Sequence, residues 1–257
     1  MTQPIPIYVI SLARAKQRRI RVASEFERIG LDYAIYEGID GELSSEELLA
    51  NFDLRAWSRN MGGPLSLGHL GCYMSHVELW RQIAKGDDPI VLICEDDVVF
   101  SSEFPNAFVS ALSMQSQWDI VRFSCVRAKG KLLQAVSGEF SLNAYWGPFT
   151  GNGCYLIKRD VAARLADSFL PIRRAHDHEL NRFFFYNIRL MGLEPFTAQP
   201  QDDGKSFITG KDMALASKFP FYRRLPHYVQ KLGNYVKRID WLARHGMIVH
   251  RRSVISR

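Results

Sequence analysis

Residues 90–98 read IVLICEDDV, so a run of five apolar residues passes directly into the three carboxylates Glu95, Asp96 and Asp97. A strand without polar residues is typical of the centre of a parallel sheet, because helices cover both of its faces. In open α/β sheets, ligands bind beyond the carboxyl ends of the strands. The stretch therefore predicts a buried central strand that presents an acidic cluster to a binding site.

Strand and helix patterns alternate on both sides of this stretch. Strands are predicted at 6–12, 32–39, 119–123 and 154–157, and helices at 15–29, 44–51, 69–85, 159–169 and 178–191. Gly30 is expected to end the first of these helices. This alternation predicts an α/β fold with a mainly parallel, Rossmann-type sheet flanked by helices.

The composition is that of an ordinary globular protein. The chain has 257 residues, of which 47% are hydrophobic and 23% charged, and these values exclude a disordered, collagen-like or disulfide-scaffold protein. No run of about 18 apolar residues is present, which argues against a membrane-spanning helix. The N-terminus lacks the basic segment of a secretory signal, and the four cysteines lack metal-ligand spacing. We therefore expect buried free thiols and a cytoplasmic location.

Positive charge is concentrated at the C-terminal end of the chain. Residues 215–257 hold ten Lys or Arg and one acidic residue, whereas residues 1–214 hold 23 basic and 26 acidic residues. Such an asymmetry indicates a basic segment with a binding partner of its own. We predict a main domain of residues 1–214 and a basic amphipathic helical tail of residues 215–257.

The tail also has helical periodicity. Its apolar residues recur every three or four positions, at Leu225, Tyr228, Val229, Leu232, Tyr235, Val236, Ile239 and Leu242. Such a helix can lie in a membrane interface, with Trp241 near the headgroups and basic residues, including those of 250–252, on anionic lipid. Alternatively, it docks on its own domain and exposes a solvated basic face. No zinc-finger, RNP or helix-turn-helix pattern is present, so no nucleic-acid partner is expected.

The acidic triplet predicts a divalent cation. Adjacent carboxylates repel one another and raise each other's pKa values unless a cation lies among them. Oxygen ligands suit Mg²⁺ or Mn²⁺, which also bind diphosphate oxygens. Alternation along the strand places Glu95 and Asp97 on the same side. The alternative interpretation is a solvated acidic turn, which is less common directly after an apolar strand.

Further motifs accompany this triplet in a defined order. They are Ile10-Ser11-Leu12 followed by Arg18-Arg19, then Ile39-Asp40-Gly41, residues 67–76 (LGHLGCYMSH) ahead of Trp80, Glu95-Asp96-Asp97-Val98, and the strand at 153–157. Together they resemble glycosyltransferase family 25, the bacterial lipooligosaccharide galactosyltransferases related to collagen galactosyltransferases. The resemblance covers about residues 5–200, without residues 61–64 or the basic tail. It implies a GT-A-like fold, a UDP-sugar donor, a divalent cation and inversion at the anomeric carbon.

The resemblance and the residue types together suggest roles at the site. Asp97 matches the metal-binding position of the family, so Glu95 and Asp97 are the predicted metal ligands, with His178 as a further one. Asp96 is expected to contact the donor. Asp177 is the candidate general base, because a carboxylate can accept the proton of an acceptor hydroxyl. Its alternative role is to cap the helix that follows.

Residues after the first two strands are candidates for binding the donor nucleotide. Besides Asp96, the donor-binding candidates are Ser11, Leu12, Arg14, Arg19, Asp40 and His76. Arg14, Arg18 and Arg19 would meet the diphosphate or the uracil, although a solvated helix face explains them nearly as well. The Asp40 turn would bind the nucleoside, or it is an ordinary turn. His76 would face the donor, or it is a hydrogen-bonded core histidine.

These assignments predict a metal-dependent, inverting hexosyltransferase. Its donor would be a UDP-sugar, UDP-galactose by resemblance, and its acceptor a lipooligosaccharide or lipopolysaccharide core. Tyr145 and Trp146 would form an aromatic acceptor platform, or they are packed loop aromatics. The basic tail would hold the enzyme peripherally on the inner leaflet of the bacterial inner membrane.

Two other functions compete with this interpretation. One is a nucleotidyltransferase that makes UDP-sugars, but residues 11–16 (SLARAK) lack the glycine-rich phosphate loop that this chemistry requires after the first strand. The other is a non-catalytic membrane- or sugar-binding module, which would bind sugar without metal and release no UDP.

Overall fold

A computed structural model of the chain describes residues 5–201, 219–248 and 253–254. The strands are β1 (Ile7–Ser11), β2 (Ala34–Glu37), β3 (Ile90–Glu95), β4 (Val98–Phe100), β5 (Ile120–Arg122), β6 (Arg127–Ala128), β7 (Lys131–Ser137), β8 (Phe140–Tyr145), β9 (Phe149–Thr150), β10 (Cys154–Lys158), β11 (Leu190–Glu194), β12 (Ala198–Pro200) and β13 (Ser253–Val254). The helices are α1 (Lys16–Ile29), α2 (Ser45–Ala50), α3 (Leu54–Met61), α4 (Leu67–Lys85), α5 (Phe104–Ser113), α6 (Arg159–Ser168), α7 (His176–Leu180), α8 (Phe183–Tyr186) and α9 (Leu225–Arg244). Within these described ranges, no helix combines the length and the apolar character needed to cross a bilayer.

A sheet of nine strands forms the centre of the fold, in the order β13-β7-β8-β11-β5-β10-β3-β1-β2. β1 pairs in parallel with both β2 and β3, and β11 pairs in parallel with β5. β8 and β10 are antiparallel to the neighbours on both of their sides, so the other strands of this sheet run in one direction. The α/β class with a mainly parallel sheet flanked by helices is confirmed.

β3 is the buried strand that its sequence predicts. Residues 90–94 are at most 7% exposed, and β1 and β10 flank the strand in the sheet. Burial of each large aliphatic side chain stabilises the fold by roughly 1.5–3 kcal/mol. The position of the carboxylates that follow β3 is therefore set by well-packed structure.

The turn after β2 is in direct contact with the start of α4, and two glycines make this possible. A Cβ atom on Gly41 would lie 1.9 Å from the carbonyl oxygen of Leu67, and one on Gly71 would lie 2.5 Å from that of Ile39. The hydroxyl of Ser75 accepts the Ile39 N–H at 2.8 Å. The carboxyl ends of β1, β2 and β3 are thus held close to α4.

The structure differs from the predicted elements in several places. The predicted helix at 178–191 is wrong, since α7 and α8 are short and β11 begins at Leu190. Asn187 adopts a left-handed conformation (φ 51°) that ends α8, whereas the apolar spacing alone continues past it. The β6–β9 region and α3 were not predicted. α4 begins two residues earlier than predicted, because the Ser66 side chain caps it by accepting the N–H of His69.

The tail forms the predicted helix as α9, but one prediction within it is wrong. Trp241 is 8% exposed and donates a hydrogen bond to Asn187 Oδ1 at 2.9 Å, so it anchors the helix to the domain and does not face headgroups. The predicted boundary between residues 214 and 215 and the basic cluster of residues 250–252 lie outside the described residues.

The glycine contacts predict a stability difference between two Gly→Ala variants. Gly71→Ala should lower the free energy of unfolding by roughly 1–3 kcal/mol, because the new methyl group meets backbone that has no room to move. Gly233→Ala is the matched control: it lies inside α9 with nothing within 4 Å of its Cβ position, and it should be stabilising or neutral. Urea unfolding measures both, and equal effects would contradict the close contact.

Candidate active site

Asp96 is the buried member of the acidic triplet. Its carboxylate accepts hydrogen bonds from Ser11 Oγ at 2.7 Å and from Arg18 Nη1 at 3.1 Å. Burial raises the pKa of Asp96, although Ser11 and Arg18 oppose the shift. Arg18 also lies 3.3 Å from Asp97 Oδ2. The sequence predicted Arg18, with Arg14 and Arg19, as a contact of the diphosphate or the uracil, and the structure pairs it with these two carboxylates.

Asp97 carries an oxygen that the described part of the chain leaves without a partner. Its Oδ1 atom is buried and accepts no hydrogen bond. Burial and then the charge of Glu95 raise the pKa of Asp97 to about 7, against the opposing effect of Arg18. A solvated acidic turn does not have these properties. A divalent cation between Glu95 and Asp97 fits them, because it would bind the orphaned oxygen and offset the repulsion.

His76 connects Glu95 to the core of the protein. His76 is fully buried, with Nδ1 2.8 Å from the hydroxyl of Tyr155 and Nε2 3.4 Å from Glu95 Oε1. The same hydroxyl accepts the Trp80 Nε1–H at 3.0 Å. The Tyr155 proton is then available for His76 Nδ1, so that Nε2 carries the hydrogen of the neutral ring. We infer that His76 acts as a hydrogen-bond donor towards Glu95.

Cys72 also faces the acidic residues, which sequence reasoning missed. Ligand atoms of Cys72, His76 and Glu95 lie within 4.8 Å of one another, and no other such group of three or more occurs among the residues that the structure describes. Cys72 and His76 are one helical turn apart, which was the available signal. Burial, then Glu95 and Asp177, raise the pKa of Cys72 well above its ordinary value, so the side chain remains a thiol.

The protonation of these side chains favours one of two possible metal sites. A metal ligand set of Cys72, His76 and Glu95 requires a thiolate and a free lone pair on His76 Nε2. The acidic surroundings disfavour a thiolate at Cys72. The Tyr155 hydrogen bond to Nδ1 disfavours a free lone pair on His76 Nε2. The carboxylates of Glu95 and Asp97 meet the requirements of Mg²⁺ or Mn²⁺ without such changes.

Asp177 lies in the first turn of α7, and its charge, like that of Glu95, acts on Cys72. The residue that precedes α7 is Ala175, so Asp177 is not the helix cap that was its alternative role. Its carboxylate accepts the N–H groups of Gly151 at 3.0 Å and His178 at 2.8 Å. Burial opposes its ionisation, but His178, Arg122 and the two N–H groups outweigh burial and hold the pKa of Asp177 below its ordinary value. An ionised carboxylate can accept a proton, although a lowered pKa makes it a weaker base.

Two contacts fix α7 against the rest of the site. The ring of His176 stacks on His76 with centroids 4.2 Å apart, which joins α7 to α4. Burial, then His76, lowers the pKa of His176 well below its ordinary value, so the stacked ring is neutral. Behind it, the buried Glu179 carboxylate pairs with Arg174 at 2.5 Å and Arg182 at 2.7 Å. Removing one partner of such a buried pair typically costs about 3–5 kcal/mol.

Most donor-binding candidates lie at the carboxyl ends of β1 and β2, beside the acidic triplet. Ser11 is buried against Asp96 and accepts a hydrogen bond from Arg19 Nε at 3.2 Å. Arg19 also pairs with Glu37 at 2.7 Å, and Arg14 pairs with Asp40 at 2.6 Å. Leu12 is half-buried directly after β1. The structure brings these residues together, and their contacts with a nucleotide remain predictions.

Of the two residues predicted to form the acceptor platform, one is buried and one is exposed. Tyr145 is 2% exposed, stacks on Phe149 and donates a hydrogen bond to Glu194, so it offers no face to a sugar and this assignment is wrong. Trp146 is 45% exposed and remains available. His178 is also exposed, but it belongs to no group of three metal ligands within the described ranges.

Comparison with known proteins identifies the family. The model of glycosyltransferase family 25, described as an LPS biosynthesis protein, matches residues 4–180. The chain belongs to glycosyltransferase family 25. The matched region includes the acidic triplet, α4 and α7, and it ends before α9.

Curated relatives share this region at modest identity. Procollagen galactosyltransferase 2 from Homo sapiens is 28% identical over 221 residues, which are 76% of this chain and 34% of that protein. A glycosyltransferase 25 family member from Aedes aegypti is 27% identical over 223 residues, 77% of this chain and 37% of that protein. Inactive glycosyltransferase 25 family member 3 from Mus musculus is 25% identical over 215 residues, 76% of this chain and 36% of that protein. The chain spans about a third of the length of these relatives.

Solved structures show weaker likeness. TarS from S. aureus, in complex with UDP-GlcNAc, is 12% identical with a TM-score of 0.42, covering 96% of this chain and 74% of that one. GlyE from Streptococcus pneumoniae is 10% identical with a TM-score of 0.43, and the match covers 97% of this chain and 66% of that one. Scores below about 0.5 are too low to carry an argument about function.

The raised pKa of Asp97 predicts how pH affects stability. With EDTA present, the folded state binds more protons than the unfolded state between the ordinary pKa of 3.8 and about 7, so the free energy of unfolding falls as pH rises through this range. Asp97→Asn removes this loss, and its advantage over the wild type should grow from pH 5 to pH 8, by on the order of 2 kcal/mol. Urea unfolding at several pH values tests this, with the exposed Asp87→Asn as control. If the difference in the free energy of unfolding between Asp97→Asn and the wild type does not change with pH, the pKa of Asp97 is not raised by burial.

The hydrogen-bond chain through Tyr155 predicts the tautomer of His76. In the wild type, ¹⁵N NMR of the imidazole should show the Nε2–H form. Tyr155→Phe removes the donor to Nδ1 and the acceptor of Trp80, so we expect a mixture of tautomers and a loss of about 1–3 kcal/mol in stability. If the wild-type protein shows the Nδ1–H form, Tyr155 does not donate its proton to His76, and the proposed direction of these hydrogen bonds is wrong.

Proposed function

We propose that this chain transfers a hexose from a UDP-sugar to a hydroxyl group of a lipid-linked oligosaccharide, with inversion at the anomeric carbon. The observation that carries the proposal is the half-buried, incompletely compensated pair of Glu95 and Asp97 at the carboxyl end of β3, with Asp97 Oδ1 buried. Family membership supports glycosyl transfer as the reaction class. The names of two relatives, procollagen galactosyltransferase 2 from Homo sapiens and from Mus musculus, support galactose as the transferred sugar.

The proposed reaction separates two tasks between the two sides of the cleft. On one side, Glu95 and Asp97 would hold Mn²⁺ or Mg²⁺, which when bound neutralises the charge that develops on the diphosphate leaving group. Asp96 is held by Ser11 and Arg18, and so keeps the end of β3 in place.

On the other side of the cleft, Asp177 would accept the proton of the acceptor hydroxyl. Its two backbone N–H donors orient the carboxylate and keep it ionised. Proton transfer of this kind contributes typically about 10²–10⁴-fold to the rate. The description of the family as LPS biosynthesis proteins supports a lipopolysaccharide core as the acceptor, and the exposed Trp146 is the side chain proposed to contact it.

A second candidate function is a non-catalytic member that has kept the fold. The observation in its favour is that relatives of comparable identity from Mus musculus and Rattus norvegicus carry the names inactive and probable inactive glycosyltransferase 25 family member 3. Such a protein would bind a nucleotide or a sugar without releasing UDP.

Measurement of UDP release distinguishes these functions. Wild-type protein with UDP-galactose and Mn²⁺ should release UDP, and Asp97→Asn should reduce the rate roughly 100-fold or more, because the leaving group loses its counter-charge. Asp177→Asn should reduce turnover while UDP binding, measured by calorimetry, stays within about twofold. Asp87→Asn and Asp167→Asn, which change exposed carboxylates, are the controls. Wild-type turnover in Asp97→Asn would refute the metal role, and absence of UDP release with any UDP-hexose would favour the non-catalytic member.

A further inference from the structure

Helix α9 has two faces of different character. One face is docked on the domain, where Arg238, Trp241 and Leu242 are buried. Arg238 donates to the carbonyl oxygens of Trp146 and Asn181, at 3.2 Å each. This face explains how the helix is held, and it connects the helix directly to the loop of the exposed tryptophan.

The opposite face is an exposed apolar stripe. It consists of Leu225, Val229, Leu232, Val236 and Ile239, which are 43–67% exposed. Their spacing of four, three, four and three residues places them along one side of the helix. Phe221 and Tyr222, just before the helix, are also exposed. A contiguous row of large apolar side chains on a surface marks an interaction site.

The charges beside this stripe are mostly positive. Lys237 and Arg244 are exposed on one flank, and Lys231 is half-buried on the other. Asp240 is the single acidic residue of α9, and it pairs with Arg244 at 2.8 Å. Lys237 and Arg244 also line a pocket of about 410 Å³ between α8 and α9, together with Asp240.

We propose that this stripe, together with its basic flanks, docks α9 in the interface of an anionic membrane. Two contributions bind such a helix to these surfaces: burial of its apolar face, and attraction of the flanking Lys and Arg side chains to anionic lipid. A second copy of the chain is a poorer occupant, because two such helices packed face to face would bring like charges together. The helix lies outside the family match, which ends at residue 180.

This membrane contact is independent of the sugar chemistry, but it suits a lipid-linked acceptor. The contact between Arg238 and the carbonyl of Trp146 places the proposed acceptor side chain next to the helix that would lie on the lipid. The anionic cytoplasmic leaflet is the membrane surface whose charge matches these flanks.

The test is cosedimentation of the full chain with vesicles of phosphatidylcholine, alone or mixed with phosphatidylglycerol. The wild type should bind the mixed vesicles, and less well as NaCl is raised. Val229→Ser/Leu232→Ser should bind at least about tenfold more weakly, whereas release of UDP in solution should be unchanged. Ile20→Ser/Val109→Ser is the matched control, since these side chains are 61% and 65% exposed on other helices. Lys237→Gln should lose part of the salt-dependent binding only.

Three outcomes would overturn the proposal. The first is equal vesicle binding by the wild type and the stripe variant, with both folded by circular dichroism. The second is equal binding of the wild type to phosphatidylcholine alone. The third is a dimer in sedimentation velocity that Val229→Ser/Leu232→Ser dissociates, without vesicle binding by the wild type, which would assign the stripe to a second copy.

Discussion

Repulsion among three carboxylates at the end of a buried strand is the constraint on which the site depends. Because β3 is fully covered, the residues after it enter a cleft where water screens charge poorly. Asp96 is compensated by Ser11 and Arg18, and Glu95 faces the donor hydrogen of His76. Within the described part of the chain, Asp97 Oδ1 accepts no hydrogen bond, and the pKa of Asp97 is raised. The protein thus compensates these charges only in part, and Asp97 offers the oxygen that a ligand would bind.

The elements around the cleft hold this arrangement by close backbone and ring contacts. Glycines at 41 and 71 allow the turn after β2 to touch α4, and the stacked His76 and His176 join α4 to α7. The buried Glu179 then fixes α7 from behind through two arginines. Functional groups held on rigid elements keep a defined geometry. The positions of Asp177 and of the acidic triplet are therefore set by these contacts.

Local patterns predicted some parts of the site well and others poorly. The triplet, the long helix α4 and helix α9 followed from apolar runs and periodicity, which report burial directly. The same periodicity failed at 178–191, where a left-handed Asn187 ends α8 and the chain enters the sheet. Tyr145 was misassigned because the local sequence around a loop aromatic does not show whether its side chain is buried or exposed. Cys72 was missed because its partner Glu95 is distant in sequence.

The sequence by itself determined that a buried parallel strand ends in acid, that helices flank it, and that a basic amphipathic helix lies near the C-terminus. These features depend on interactions between neighbouring residues or on composition. Only the tertiary structure decided which carboxylate oxygen has no hydrogen-bond partner among the described residues, which groups face the two ring nitrogens of His76, and that Trp241 faces inwards while Val229 and Leu232 face out. Each of these depends on contacts between residues far apart in the chain, and burial and hydrogen bonding at such contacts have no local signature.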